Sequence, residues 1–272
     1  MTLQKSAIIA ALGVASHFDA AAEAERRTAF LADYLRKSGL GCYVLGISGG
    51  VDSTTAGLLA QAAVKRLRAD GYNARFVAMR LPYGLQRDES DAALAIGTIQ
   101  PDHTVTVNIK PAADGMLAEV RKNAGELWSE TNADFHFGNI KARERMVAQY
   151  ALAGSLGGIV IGTDHAAEAL MGFFTKFGDG AADILPLAGL NKRRIRAIAT
   201  LLGAPEQLVF KVPTADLEEK RPLRPDEDAY GVTYDEIDDF LEGKKISEAS
   251  EARILKFYNS SAHKRALPVT PQ

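Results

Sequence analysis

The chain is 272 residues long and 47% hydrophobic, enough for a substantial buried core. Its 32 Lys and Arg stand against 34 Asp and Glu, a formal charge of −2, which excludes a general pull towards nucleic acid or anionic lipid and leaves any anionic ligand to local groups. The single cysteine, Cys42, excludes an internal disulfide and a thiolate metal cluster and fits a reducing, cytoplasmic setting.

In chain order, Ala7 to Val14 is an apolar run too short to span a bilayer, and it reads as a packed helix. Phe30, Leu31, Tyr34 and Leu35 recur at helical spacing, and Lys37-Ser38-Gly39 supplies a C-terminal stop. Cys42 to Ile47 is a short apolar strand. Val51 to Ala69 repeats Leu58, Leu59, Ala62, Ala63 and Leu67 as a helix does, so the loop around Gly49 joins strand to helix. A second strand, Arg75 to Leu81, precedes a helix from about Asp88. A third, Thr104 to Ile109, leads to a helix opened by Lys110-Pro111.

A long helix is expected from Asn139 to Leu156, followed by a strand from Gly158 to Gly162. The unbroken Ile159-Val160-Ile161 run marks that strand as buried on both faces, and a further helix starts near His165. Helix resumes beyond Lys192. Lys211 to Asp228, rich in Pro and charge, reads as a mobile loop, and two amphipathic helices between Tyr234 and Tyr258 are separated by Gly243-Lys244-Lys245. Alternating strands and helices imply an α/β fold with a doubly wound parallel sheet, flanked by helices and with helical segments at both ends. No internal repeat and no composition shift divides it, so a single domain over 1–272 is expected.

The loop Gly46-Ile47-Ser48-Gly49-Gly50-Val51-Asp52-Ser53 carries the chemistry. A strand that ends there and runs into a helix leaves free backbone N–H groups at a helix N-terminus, where the dipole favours anions, and paired glycines admit phosphates closely. No Lys follows the last Gly, so a Walker A grip on a γ-phosphate is unsupported. Asp52 instead sets a carboxylate beside the phosphates, an arrangement that calls for a cation such as Mg²⁺. A bare Gly-Gly with Ser48 as cap could also be a tight connection and nothing more.

The whole string resembles the signature of the PP-loop ATP pyrophosphatases, whose adenine nucleotide α-hydrolase-like fold splits ATP into AMP and pyrophosphate. Further along, Gly162-Thr163-Asp164-His165-Ala166-Ala167-Glu168-Ala169 and Gly172-Phe173-Phe174-Thr175-Lys176-Phe177-Gly178-Asp179-Gly180 resemble the ammonia-dependent NAD synthetases. Pro213-Thr214-Ala215-Asp216-Leu217, Tyr234-Asp235-Glu236-Ile237-Asp238-Asp239 and His263-Lys264-Arg265 do so too. The likeness covers nearly the whole chain. Two departures are Val51, where that family often has Gln, and the ending Pro271-Gln272, where relatives continue into an aromatic tail.

The resemblance implies a ligase that amidates deamido-NAD (nicotinic acid adenine dinucleotide) with ammonia through an NAD-adenylate, releasing AMP and diphosphate. Residue by residue it implies ATP contacts at Gly46, Ile47, Ser48, Gly49, Gly50, Val51, Asp52, Ser53, Thr163, Lys192 and Thr214, and magnesium carboxylates at Asp52 and Glu168. It implies deamido-NAD contacts at Arg143, Lys176, Asp183, His263 and Lys264, two ordering loops at Leu81 to Gln86 and Lys211 to Asp228, and a homodimer. No protein nucleophile is required, and Asp52 and Ser48 act electrostatically. Read without the resemblance, Arg143 and Arg145 could be a charged helix face paired with Glu144, and Glu168 a solvated helix residue. Glutamine as nitrogen donor would need a separate amidase and an accessible thiol, which a strand-bound Cys42 does not offer.

Overall fold

The computed structural model describes residues 3–84, 89–215 and 224–271. Two helices open the chain, α1 (Leu3–Ala11) and α2 (Ala20–Ser38). The apolar run to Val14 is therefore helical only as far as Ala11, with Gly13 in the left-handed region at φ 67°. The second helix is delimited by side-chain chemistry. Asp19 accepts from the Ala22 N–H at 2.8 Å, and Gly39 ends the helix at φ 71°.

The sheet follows: β1 (Cys42–Gly46), α3 (Val51–Ala69), β2 (Arg75–Arg80), α4 (Glu89–Ile99), β3 (His103–Thr106), α5 (Lys110–Ala124), α6 (Ala133–Leu156) and β4 (Gly158–Val160). All its pairings are parallel and the strand order is β3-β2-β1-β4. The chain thus leaves β1 to one side for β2 and β3, then returns to the other side for β4. The crevice beyond the carboxyl ends of β1 and β4 is the switch point at which open α/β sheets bind ligands.

Burial explains the layering. Residues Cys42 to Leu45 of β1 are buried on both faces, and α3 lies against them with Leu59, Ala63 and Leu67 fully enclosed. Each such Leu contributes about 1.5–3 kcal/mol of hydrophobic stabilisation. The opposite face is closed by Val44, Val77, Met79 and Val160 against α6. The edge strand β3 is shorter than the Thr104 to Ile109 expected and mostly exposed. Past Thr106 the backbone still bonds to the neighbouring segment, Val107 N–H to Arg80 O and Ile109 N–H to Pro82 O, each at 2.9 Å, and Asn108 Oδ1 accepts from the N–H groups of both Gly84 and Lys110, each at 3.0 Å. The fourth strand is continued past Val160 by a parallel bridge from Ile161 to Ile184.

The remainder is helical: α7 (Ala166–Met171), α8 (Lys192–Leu201), α9 (Glu206–Val209), α10 (Asp226–Tyr230), α11 (Tyr234–Leu241), α12 (Glu248–Ser260) and α13 (Ala262–Arg265), with a two-stranded antiparallel ribbon of β5 (Thr214–Ala215) and β6 (Arg224–Pro225). A cluster of Leu170, Ile237, Phe240, Leu241 and Ile254 joins α7 to α11 and α12.

Of the stretch Lys211 to Asp228, expected as a mobile loop, the described ends carry specific bonds. Lys211 Nζ pairs with Asp91 Oδ2 at 2.8 Å, the Asp226 N–H donates to Pro213 O at 3.1 Å, and Asp226 is buried with Tyr234 donating to its Oδ2 at 2.9 Å. Pro225, held at φ −57°, starts α10. Charged residues here are drawn inward by specific partners, which composition does not reveal. Residues 216–223, including Asp216 and Leu217, lie outside the described residues, as do Leu85 and Gln86 of the other expected loop.

Candidate active site at the switch of the sheet

The loop after β1 is held in an open, anion-ready form. Gly46 N–H donates to Gln149 Oε1 at 2.8 Å, which ties the strand exit to α6. Gly49 sits at φ +81° and Gly50 is the N-cap of α3 without any side-chain capping bond, so backbone donors of the first turn remain available. Ser48 and Ser53 face each other with hydroxyls 3.2 Å apart. A Cβ on Gly49 would lie 2.6 Å from Ala92 N and 2.7 Å from the Asp91 carbonyl carbon, so the loop also needs glycine to fit beneath α4.

Asp52, in the first turn of α3, is where two distant segments converge. Its Oδ2 accepts from Lys192 Nζ at 2.8 Å, and its Oδ1 lies 3.5 Å from His165 Nε2. His165 Nε2 is also 3.5 Å from Glu168 Oε2, in the first turn of α7. Burial opposes ionisation of Asp52, but Lys192, through its charge and its hydrogen bond, together with the other basic neighbours holds the carboxyl below its usual value. Burial lowers Lys192 as well, yet Asp52 and Glu168 keep it charged. Burial and then the Lys192 charge push His165 down to about 3, so the ring is neutral.

Glu168 behaves in the opposite way to Asp52. Burial, reinforced by the neighbouring acids Asp52, Asp164 and Asp179, drives its pKa well above the ordinary glutamate value despite Lys192. Burial and the Asp179 charge push Asp164 up to about 8. This is a carboxylate cluster with one resident ammonium, and Asp52 Oδ1 is buried there without a hydrogen-bond partner among the described residues. An orphaned carboxylate oxygen beside a second strained acid, with an anion-binding loop adjacent, fits a hard divalent cation with oxygen ligands. Asp52, His165 and Glu168 bring their ligating atoms within 4.8 Å of one another.

Around this centre opens a cleft of about 430 Å³ lined by residues of the β1 loop, Thr163, Glu168, Thr214 and Lys264. Gly46, Ile47, Ser48, Gly50, Val51, Asp52 and Ser53 line it, while Gly49 lies buried under Asp91 and Ala92. Lys192 is 1% exposed and stands behind Asp52 rather than in the opening. Lys264 Nζ donates to the carbonyls of Gly172 and Phe174, each at 2.9 Å.

Arg143, Lys176 and His263 form a separate group on an outer face. Arg143 Nη2 donates to Lys176 O at 3.2 Å and Lys176 Nζ to His263 O at 2.6 Å. Asp183 is exposed, accepting from the Tyr150 hydroxyl at 3.2 Å and from the Val160 N–H at 2.8 Å. None of these four lines the cleft among the described residues.

Residues that sequence reasoning did not single out include His165, Gln149 and Asp226, all in or against the cleft, and Arg145, read in sequence only as part of a charged helix face, lines it too. The signal for His165 was present in the string Gly162 to Ala169, at the position preceding a helix. Nothing in sequence marks Gln149 or Asp226, whose roles depend on which segment packs opposite.

A family profile described as NAD synthase matches residues 23–268. The NH(3)-dependent NAD(+) synthetase of Burkholderia lata is 66% identical over 267 residues, covering 98% of this chain and 95% of that protein. The crystal structure of NAD+ synthetase from Burkholderia pseudomallei shares 61% sequence identity with a TM-score of 0.84, covering 97% of each chain. A structure described as NMN synthetase from Francisella tularensis shares 36% identity with a TM-score of 0.81, covering 94% of this chain and 99% of that one. The match to the Burkholderia lata protein covers 98% of the chain and so extends far beyond the phosphate loop, and the chain belongs to the NAD synthase family.

Proposed function

We propose that this chain is an ammonia-dependent NAD synthetase, a ligase that forms the carboxamide of NAD from deamido-NAD and ammonia while ATP becomes AMP and diphosphate. The observation that carries the reading is the Asp52 centre. A carboxylate held ionised by Lys192 keeps one buried oxygen unpartnered at the mouth of an anion-binding loop, with Glu168 alongside.

The nicotinate carboxylate attacks the α-phosphorus of ATP, and the N–H groups of the Ser48 to Ser53 loop receive the charge that builds on the departing pyrophosphate. Asp52 and Glu168 would hold Mg²⁺, which when bound would supply Lewis-acid neutralisation of phosphate charge. Lys192 keeps Asp52 ionised and oriented. Ammonia then displaces AMP from the acyl-adenylate. The chain's contribution is positioning and electrostatics, with no covalent protein intermediate. Thr163 and Thr214 serve ATP, Lys192 acts on it only through Asp52 rather than by the direct contact expected, and Lys264 closes the cleft at its dinucleotide end.

Arg143, Lys176 and His263 form a cationic outer face suited to a dinucleotide's pyrophosphate or carboxylate, and we assign them with Asp183 to deamido-NAD. Phe135 and Val147, on the same helix α6 as Arg143, are 52% and 51% exposed, and we assign them to contact with a second copy. We read the enzyme as a homodimer and a single domain using free ammonia. Cys42 is fully buried in β1, with its thiol pKa raised by burial, so it cannot act as an amidase nucleophile. Among the described residues no helix is long and apolar enough to cross a membrane, and a cytoplasmic site of action accords with the lone buried thiol.

Incubation with ATP, Mg²⁺, deamido-NAD and ammonium should yield NAD, AMP and pyrophosphate in equal amounts. Release of ADP, or no turnover, refutes the reading. Two further arms use glutamine in place of ammonium, where little NAD is expected, and nicotinate mononucleotide in place of the dinucleotide. The latter tests the acceptor suggested by the Francisella tularensis NMN synthetase, and an equal rate there would replace deamido-NAD as the substrate.

A further inference from the structure

His165 stands between the two acids assigned to the cation, and its own hydrogen bonding decides what it can do there. As N-cap of α7, it accepts through Nδ1 from the backbone N–H of Glu168 at 3.4 Å. A ring nitrogen that accepts carries no proton, so the proton of the neutral ring is on Nε2. That Nε2 lies 3.5 Å from Asp52 Oδ1 and 3.5 Å from Glu168 Oε2. His165 is 1% exposed, and among the described residues Nε2 has no hydrogen-bond partner.

Proximity alone suggests a third ligand, because the atoms of Asp52, His165 and Glu168 lie within 4.8 Å of one another. The tautomer argues otherwise. An Nε2–H aimed between two carboxylates has no lone pair to give a cation, whereas a shared donor is what two crowded carboxylates lack. Both gaps lie only slightly beyond the ordinary N–H···O range of about 2.7–3.2 Å, so a small movement of either acid engages the proton.

We propose that His165 is a positioning residue whose Nε2–H bridges Asp52 and Glu168 and turns their remaining lone pairs towards the divalent cation, without ligating it. The inference rests on the assignment of those two acids to the cation made above. Outer-shell partners of this kind fix ligand orientation, and their loss weakens metal affinity about 10–100-fold.

Two substitutions separate the roles of the ring. His165→Gln places an amide nitrogen near the Nε2 position but gives up the acceptor that caps α7. His165→Asn keeps that acceptor and loses the reach to both acids. Binding of Mn²⁺ in the presence of ATP is followed by electron paramagnetic resonance, which needs no turnover, and folding by urea unfolding. We expect His165→Asn to bind Mn²⁺ at least about tenfold more weakly while His165→Gln stays within about threefold of wild type, with stability favouring Asn over Gln. Equal binding by His165→Asn and wild type, or equal loss in both variants, overturns the inference. So does a directly coordinated ¹⁴N coupling in the Mn²⁺ spin-echo spectrum of the wild-type enzyme, a result that needs no variant to fold. Failure of the wild type to bind Mn²⁺ at all would instead remove the cation assignment itself, and this inference with it.

Discussion

Lys192 Nζ lies 2.8 Å from Asp52 Oδ2, across 140 residues of chain, and joins the start of α8 to the first turn of the phosphate loop helix. Lys192 is held there from the main-chain side as well, since Asp238, from α11, accepts from the N–H groups of Lys192 and Arg193 at 3.1 and 2.7 Å.

Replacing the ammonium while keeping its bulk, Lys192→Met, leaves Asp52 without its partner. Breaking a buried pair from one side costs about 3–5 kcal/mol, and the urea midpoint should fall accordingly. Turnover should drop at least about 100-fold, on the scale of a lost electrostatic contact to the transition state. A variant with wild-type kcat would remove Lys192 from the site.

Asp52→Asn keeps the shape of the side chain and removes its charge. NAD formation should fall by at least about two orders of magnitude, and raising Mg²⁺ should not restore it. Steady-state rates across a Mg²⁺ series check this, and near-normal rates would show that Asp52 does not hold the cation.

Gly49→Ala adds a single methyl where the backbone is at φ +81° and where Ala92 N would be 2.6 Å away. Strain of about 1–3 kcal/mol is expected from the backbone conformation alone. Since the neighbour is main chain rather than a flexible tip, the loop must move. Measured by calorimetry, ATP affinity should fall at least about tenfold as the N–H groups lose their convergence.

Asp164→Asn tests the acid cluster through pH. The folded protein holds Asp164's proton up to about 8, whereas the unfolded chain releases it near 3.8. A pKa raised on folding contributes stability that is complete at low pH and is lost as pH rises through that window. The neutral variant lacks this loss, so its stability relative to wild type should climb from about pH 4 to about pH 8 and then level off. Urea midpoints without divalent cation at both ends of the range check the sign, and a difference independent of pH would show that Asp164 is not crowded.

Cys42→Ala should leave the rate with ammonium within about twofold, at a stability cost of about 1 kcal/mol for the small volume removed from the core. Loss of activity in a folded variant would bring the thiol back into the chemistry.

Much of this architecture was legible in the sequence because it is local. The helix read from Val51 to Ala69 has those limits in the structure, since an apolar repeat and a glycine-bounded start fix a helix from within. The run Ile159-Val160-Ile161 marks a strand buried on both faces for the same reason. Edges were harder to read. The Thr104 to Ile109 strand stops at Thr106, where its partner β2 ends at Arg80, so its limit is set by what it pairs with rather than by periodicity.

The sequence by itself determined the parallel α/β class, the phosphate loop, the likeness to NAD synthetases and the pairing of Asp52 with Glu168 as candidate metal acids. The first three are carried by residues close together in the chain, and Glu168 joins Asp52 only through the family likeness. Only the tertiary structure decided that Lys192 neutralises Asp52 from within the core, that His165 stands between the two acids, and that Asp226 is buried with the Tyr234 hydroxyl bonded to it. It also decided that Arg143, Lys176 and His263 gather on an outer face away from the cleft. Charge and proton positions depend on burial and on partners from distant segments, and those are set only when the layers pack.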